Sequence, residues 1–139
     1  MTMSFLNPER ALIFRVTHRD NLPWILDNGL GAQSGEVLDP NFRQIGDADL
    51  IQKRPKRAVP IDPGGTLSNY IPFYFTPCSI MLLNILTGYR GITSVPAEEI
   101  VVLVSSLRKV AELGIPFVFT DRHAYTAIDL TPFFVQFGV

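Results

Sequence analysis

The residues best suited to chemistry in this chain are its arginines, which recur in its polar clusters at Arg15, Arg43, Arg54 with Arg57, Arg90 and Arg122. A guanidinium is a planar fork that grips phosphate through paired hydrogen bonds and keeps its charge at any physiological pH. Most exposed arginines are only solvated surface. Arg15 departs from that pattern because it interrupts the apolar run from Ala11 to Val16, where an unpaired buried charge would cost several kcal/mol. It needs a partner or a pocket. His18 and His123 each follow a predicted strand, where scaffold-held residues often line sites, and each reads equally well as a capping or core-edge histidine. Trp24, Tyr70, Tyr74 and Tyr125 offer faces on which a flat heteroaromatic ring can stack, or else core packing. No Cys/His cluster with metal spacing, Walker-type loop, nucleophile elbow or Rossmann glycine pattern occurs, which disfavours metal catalysis. Gly64-Gly65 reads as a turn.

The elements that must position these residues are short. Ala11 to Val16 reads as a strand ending near His18, and Asp20 then stands where it can cap a helix containing Leu22, Trp24, Ile25 and Leu26, with Asn28-Gly29 as its stop. Gly31 to Gly46 lacks periodicity and reads as a loop, of a length that is often functional. Asp47 to Arg54 predicts a two-turn helix, stopped by Pro55, with acid at its start and Lys53 and Arg54 at its end. Pro60 to Gly65 is a turn. Tyr70 to Phe75 is a strand whose Pro72 suggests an edge or a bulge. Ser79 to Leu86 has the apolar density of a buried helix, ended by Gly88. Ile100 to Val104 is a β-branched strand, Ser106 to Leu113 an amphipathic helix, and Phe117 to Thr120 another strand, followed by the polar cluster Asp121 to Tyr125. The last apolar segment, Phe133 to Phe137, carries no charge and must dock somewhere.

A chain of 139 residues, 47% apolar and with a net charge of −1, is expected to form a single domain over 1–139 with a real core. Any basic site must be local, since the overall field neither demands nor excludes nucleic acid. The single cysteine, Cys78, allows no internal disulfide, and nothing at the start reads as a signal peptide. The stretch from Tyr70 to Gly88 is too interrupted to span a bilayer. The reading is a cytoplasmic protein without membrane partners.

Four segments in order carry a resemblance: Arg15-Val16-Thr17-His18-Arg19-Asp20-Asn21-Leu22, Pro63-Gly64-Gly65-Thr66-Leu67, Tyr70-Ile71-Pro72-Phe73-Tyr74-Phe75, and Pro116-Phe117-Val118-Phe119-Thr120-Asp121-Arg122-His123. Together they resemble the signature blocks of the DarT family, toxins of bacterial toxin–antitoxin pairs. The resemblance implies an α+β, ADP-ribosyltransferase-like fold: two small, mostly antiparallel sheets around an NAD cleft, with the C-terminal part missing. It implies cleavage of NAD at the nicotinamide–ribose bond and transfer of ADP-ribose to a base of single-stranded DNA, thymine in the best-known branch, with no metal or helper cofactor. Its implied partners are single-stranded DNA and an antitoxin that removes ADP-ribose from DNA.

By the same resemblance, Arg15, Val16 and Thr17 hold the nicotinamide and its ribose, and Trp24 on the following helix contacts NAD. The segment from about Leu38 to Lys56 is the NAD-binding element, in which Arg54 matches the catalytic arginine. Removing a base proton is an awkward task for a guanidinium, whose free pKa exceeds ~12, so Arg54 is expected to polarise the base or grip the diphosphate. Arg122 and His123 are candidates for DNA contact, and Tyr74 for packing near the nicotinamide. The resemblance places a substrate-recognition loop from His123 onward and the family's catalytic glutamate behind it, beyond residue 139, since Glu9, Glu36, Glu98, Glu99 and Glu112 all precede that loop. The chain is therefore expected to be nearly inactive. Two other readings stay open: a non-catalytic NAD- or DNA-binding remnant, and a transferase acting on RNA or protein.

Overall fold

The computed structural model describes residues 9–120 and 134–138. Strand β1 (Leu12–His18) pairs antiparallel with β3 (Ile100–Ser106), from Leu12 opposite Ser106 to His18 opposite Ile100. A second sheet has the order β2 (Tyr70–Phe73), β5 (Phe134–Gly138), β4 (Phe117–Thr120), all neighbours antiparallel. The apolar segment at the end of the chain thus docks as the central strand. Pro72 lies on the edge strand β2, where a missing N–H costs least. The sheets meet where Phe14 and Tyr74 exchange two backbone hydrogen bonds, of 2.7 and 2.8 Å.

Among the described residues, four α-helices surround the sheets: α1 (Leu22–Asn28), α2 (Ala48–Lys53), α3 (Ile80–Thr87) and α4 (Leu107–Glu112). The caps of α2, α3 and α4 follow from side-chain chemistry. Asp47 accepts from the amides of Asp49 and Leu50, Ser79 from Leu82, and Ser106 from Lys109, each satisfying N–H groups that have no partner within the helix. The helix predicted from Asp47 to Arg54 ends one residue earlier and tightens into a 3-10 turn over Arg54–Lys56 that contains Pro55.

Two expectations need correction. Asp20 is not the cap of α1: a 3-10 turn, Arg19–Asn21, comes between strand and helix, and the His18 ring caps it by accepting from the Asp20 amide at 3.0 Å. The Asp20 carboxylate turns outward to Arg43 instead, at 3.4 Å. Helix α3 is not buried all round. Only its Ile85 is buried, while Ile80 and Leu83 are 77% and 59% exposed. One side packs against Ile92 and Val95; local apolar density cannot tell whether the other side has a neighbour.

The main core gathers Ile13, Ala32, Ile71, Phe73, Leu107 and Val110. Alternation along β1 places Arg15 and Thr17 on the same face as Ile13, so the core face of this strand continues into two polar positions. Ile13 is 0% exposed and Leu12, on the opposite face, 50%. Ile13→Ala should therefore cost about 2–5 kcal/mol, read as a fall in the urea midpoint, and Leu12→Ala within about 0.5 kcal/mol. Equal losses in the two variants would contradict this placement of the core.

Candidate functional site

Where β1 leaves the core, the two sheets and the loop from Gly29 to Gly46 enclose a cleft of about 350 Å³, within the size range of small-molecule sites. Arg15, Val16 and Thr17 contribute one wall from β1, Trp24 and Ile25 another from α1, and Leu50, Ile51 and Arg54 a third from α2 and the turn after it. Tyr70, Ile71, Pro72 and Tyr74 close it from β2 and its extension, with Met81 and Ile85 from α3 and Ser79 from its cap. All the sequence-predicted site residues within the described part, namely Arg15, Val16, Thr17, Trp24, Arg54 and Tyr74, share this one cleft. Arg122 and His123 lie outside the described residues, as does Tyr125.

Both cleft arginines are held by backbone carbonyls. Arg54 is 7% exposed, and its Nη2 donates to the carbonyls of Leu67 at 2.6 Å and Tyr70 at 3.1 Å. Arg15 donates from Nη1 to the Pro72 carbonyl at 3.1 Å. Arg15 as a whole is only half-buried, but its Nε is sealed from solvent and has no hydrogen-bond partner among the described residues. Such orphaned buried donors are uncommon and mark strain or a ligand site.

The electrostatics agree with this geometry. Burial, and secondly the nearby Arg15 cation, lower the Arg54 pKa to about 10, with Tyr74 acting in the opposite direction. Burial likewise lowers Arg15 from its ordinary value, again against Tyr74. The Tyr74 phenol is pushed up by burial, while the two arginines pull it down. Two guanidiniums and a phenol therefore share a poorly solvated space. A pair of cations in an apolar cleft favours an anion, and a diphosphate matches the fork geometry.

Carboxylates reach the cleft only at Asp39 and Asp47 among the described residues. Asp47 is occupied as the α2 cap, and Asp39 accepts from the Asn41 amide at 2.8 Å. Glu99 faces away, 3.1 Å from the His18 ring and 3.8 Å from Arg43. His18 itself is a fully buried cap, in line with the capping alternative, and does not line the cleft. Tyr70 is a core residue as well as a wall, since its hydroxyl donates to the Gly64 carbonyl at 2.6 Å. Sequence reasoning missed Asn21, buried behind the cleft and bonded to both Thr17 and Arg43. Its position in a polar run gave no sign of a partner in a distant loop.

A family model described as "ssDNA thymidine ADP-ribosyltransferase, DarT" matches residues 14–135. A DNA ADP-ribosyl transferase of Escherichia coli O127:H6 (strain E2348/69 / EPEC) is 58% identical over 120 residues, covering 86% of this chain and 55% of the relative. Its counterpart in Thermus sp. (strain 2.9) is 43% identical over 119 residues, covering 84% and 54%. The chain thus spans about half the length of the curated relatives it matches. The solved structure of Thermus sp. 2.9 DarT in complex with ADP-ribosylated ssDNA superposes with a TM-score of 0.77 at 39% identity, over 94% of this chain and 59% of that one. The same protein in complex with NAD+ gives 0.73 at 38% identity, over 95% and 59%. The α+β, ADP-ribosyltransferase-like architecture expected from the sequence is the one found. By its ordered segments, its fold and the family match, the chain belongs to the DarT family of ssDNA thymidine ADP-ribosyltransferases.

Proposed function

We propose that the cleft binds NAD as ADP-ribose donor, and that the protein transfers ADP-ribose to thymine in single-stranded DNA as the toxin of a toxin–antitoxin pair. The observation that carries this reading is the pair of carbonyl-held arginines, Arg15 and Arg54, facing an apolar cleft in a DarT chain. A similar protein, Thermus sp. 2.9 DarT, has been solved with NAD+ and with ADP-ribosylated ssDNA. The proposed compartment is the cytoplasm, where NAD and DNA are both present, and the proposed protein partner is an antitoxin that removes ADP-ribose from DNA. No helix among the described residues is long and apolar enough to cross a membrane.

In the reaction, the bond between the ribose anomeric carbon and the nicotinamide nitrogen breaks and its electron pair leaves with nicotinamide. A base nitrogen then bonds that carbon and gives up its proton to solvent water. Arg15, Val16 and Thr17 hold the nicotinamide end, with the Thr17 hydroxyl able to donate or accept, and Trp24 supplies an apolar face across the cleft. Tyr74 packs near the nicotinamide. Arg122 and His123 are proposed to meet the DNA. With its pKa at about 10, Arg54 is neutral in only about one molecule in 1000 at pH 7. It therefore acts as a cation, gripping the diphosphate or polarising the base, rather than taking the proton.

Labelled NAD offered with single-stranded oligonucleotides tests the reading. The chain alone should bind NAD and transfer none detectably, because no glutamate among the described residues lines the cleft. A chimera carrying residues 9–120 in place of the matching part of the Escherichia coli relative should label thymine-containing oligonucleotides and spare thymine-free ones. Arg54→Ala in that chimera should lower the rate about 100-fold or more. Equal labelling of RNA or protein acceptors would overturn the choice of substrate.

The charge in the cleft makes a second prediction. Since burial lowers the Arg15 pKa, the unfolded chain holds that proton more tightly than the folded one. The cation thus weighs against folding at every pH below its folded pKa, and the penalty eases only as pH rises from that value to the ordinary one. Arg15→Met should leave stability unchanged or raise it by up to about 3 kcal/mol at pH 6, with no larger gain at pH 9, while abolishing stabilisation by NAD in thermal unfolding. A loss of several kcal/mol would mean that the Arg15 cation is already satisfied without ligand.

A further inference from the structure

Asn21 ends the turn between β1 and α1 and is 1% exposed. Its Oδ1 accepts from the Arg43 amide at 2.7 Å, and its Nδ2 donates to the Arg43 carbonyl at 2.8 Å and to Thr17 Oγ1 at 3.1 Å. One amide therefore pairs with both main-chain groups of one residue, as a neighbouring strand would, and also reaches a cleft-lining hydroxyl. Arg43 sits at a decisive point of the long loop. Val37, Leu38 and Phe42 before it and Gln44, Ile45 and Gly46 after it line the cleft.

The loop is otherwise lightly tied near this point. Its own bonds there are local, from the Phe42 amide to the Asp39 carbonyl at 3.2 Å and from the Asn41 amide to the Asp39 carboxylate at 2.8 Å. The Arg43 guanidinium is half-exposed and stands 3.4 Å from Asp20 and 3.8 Å from Glu99, and ion pairs of that kind contribute little. Buried hydrogen bonds to the backbone weigh more, because breaking them leaves N–H and C=O groups without partners.

We infer that Asn21 is a positioning residue of the cleft: its side-chain amide clamps the Arg43 backbone and thereby fixes the loop wall against Thr17. The inference rests on the NAD reading for its consequence, since the wall so fixed is the one proposed to receive NAD, but the clamp itself is a local property of the fold.

The test combines peptide-resolved hydrogen exchange with titration of fluorescence from Trp24, the chain's one tryptophan and a cleft residue, using NAD as the probe. In Asn21→Ala, exchange should speed up over residues 40–47 while the rest keeps its protection, and NAD should bind about tenfold more weakly, the equivalent of about 1.4 kcal/mol. Asn21→Asp keeps the acceptor for the Arg43 amide but sets a carboxylate oxygen against the Arg43 carbonyl, so it should loosen residues 40–47 and weaken NAD at least as much as alanine does. It also carries the test if the alanine variant fails to fold. Arg43→Ala keeps the clamped backbone and should stay within twofold of wild type in both measurements. General loss of packing would instead lower the unfolding midpoint and speed exchange throughout, which would overturn the inference. So would wild-type exchange and affinity in both Asn21 variants, or a loss in Arg43→Ala as large as in Asn21→Ala. Should the wild-type chain not respond to NAD, the nucleotide reading falls, and the exchange comparison alone upholds or overturns the clamp.

Discussion

Everything in the cleft depends on the two hydrogen bonds that Phe14 and Tyr74 exchange. Neither sheet contains a site by itself. Strand β1 carries Arg15, Val16 and Thr17, while β2 carries the carbonyls and aromatic rings that face them. The bridge lies one residue before Arg15 and one residue after β2 ends, so it brings the two walls together at the positions where chemistry is proposed. The shared core of Ile13 from β1 with Ile71 and Phe73 from β2 reinforces the contact from behind.

The same junction explains how two cations are tolerated in an apolar setting. Arg54 joins the Leu67 and Tyr70 carbonyls, thereby tying the turn after α2 to the start of β2. Arg15 takes the Pro72 carbonyl further along that strand. Carbonyl dipoles offset only part of the cost of removing charge from water. The remainder appears as the lowered pKa values and the orphaned Arg15 Nε. Both bonds come from one nitrogen, Nη2, so the rest of the guanidinium is not committed to these two carbonyls.

Features governed by neighbours in the chain were legible in the sequence. The strand from Leu12, the Asp47 cap, the Gly88 stop of α3 and the edge position of Pro72 all follow from local sterics and hydrogen-bonding capacity. So did the convergence of Arg15, Thr17, Trp24, Arg54 and Tyr74, although there the family resemblance did more than periodicity. What remained hidden was set by distant partners. The helix cap expected of Asp20 gave way to a 3-10 turn capped by His18, whose ring is held between the Asp20 amide and Glu99. The exposed face of α3 reflects which surfaces find neighbours. Asn21 reads as one polar residue among several until Arg43 is beside it.

The placement of β5 at the centre of its sheet has a consequence for the order of assembly. Strands β2 and β4 exchange no ladder hydrogen bonds with each other; both pair only with a segment made after them. Strand β1 likewise waits for β3, so neither sheet can form from nearby segments alone. Non-local pairings of this kind are slow to form because loop closure must precede any stabilising contact. On a ribosome, β1 would gain its partner once residues 100–106 arrive, while β2 and β4 would lack theirs until residues 134–138 do. The site would then come into being in two stages, the second when β5 enters between its neighbours.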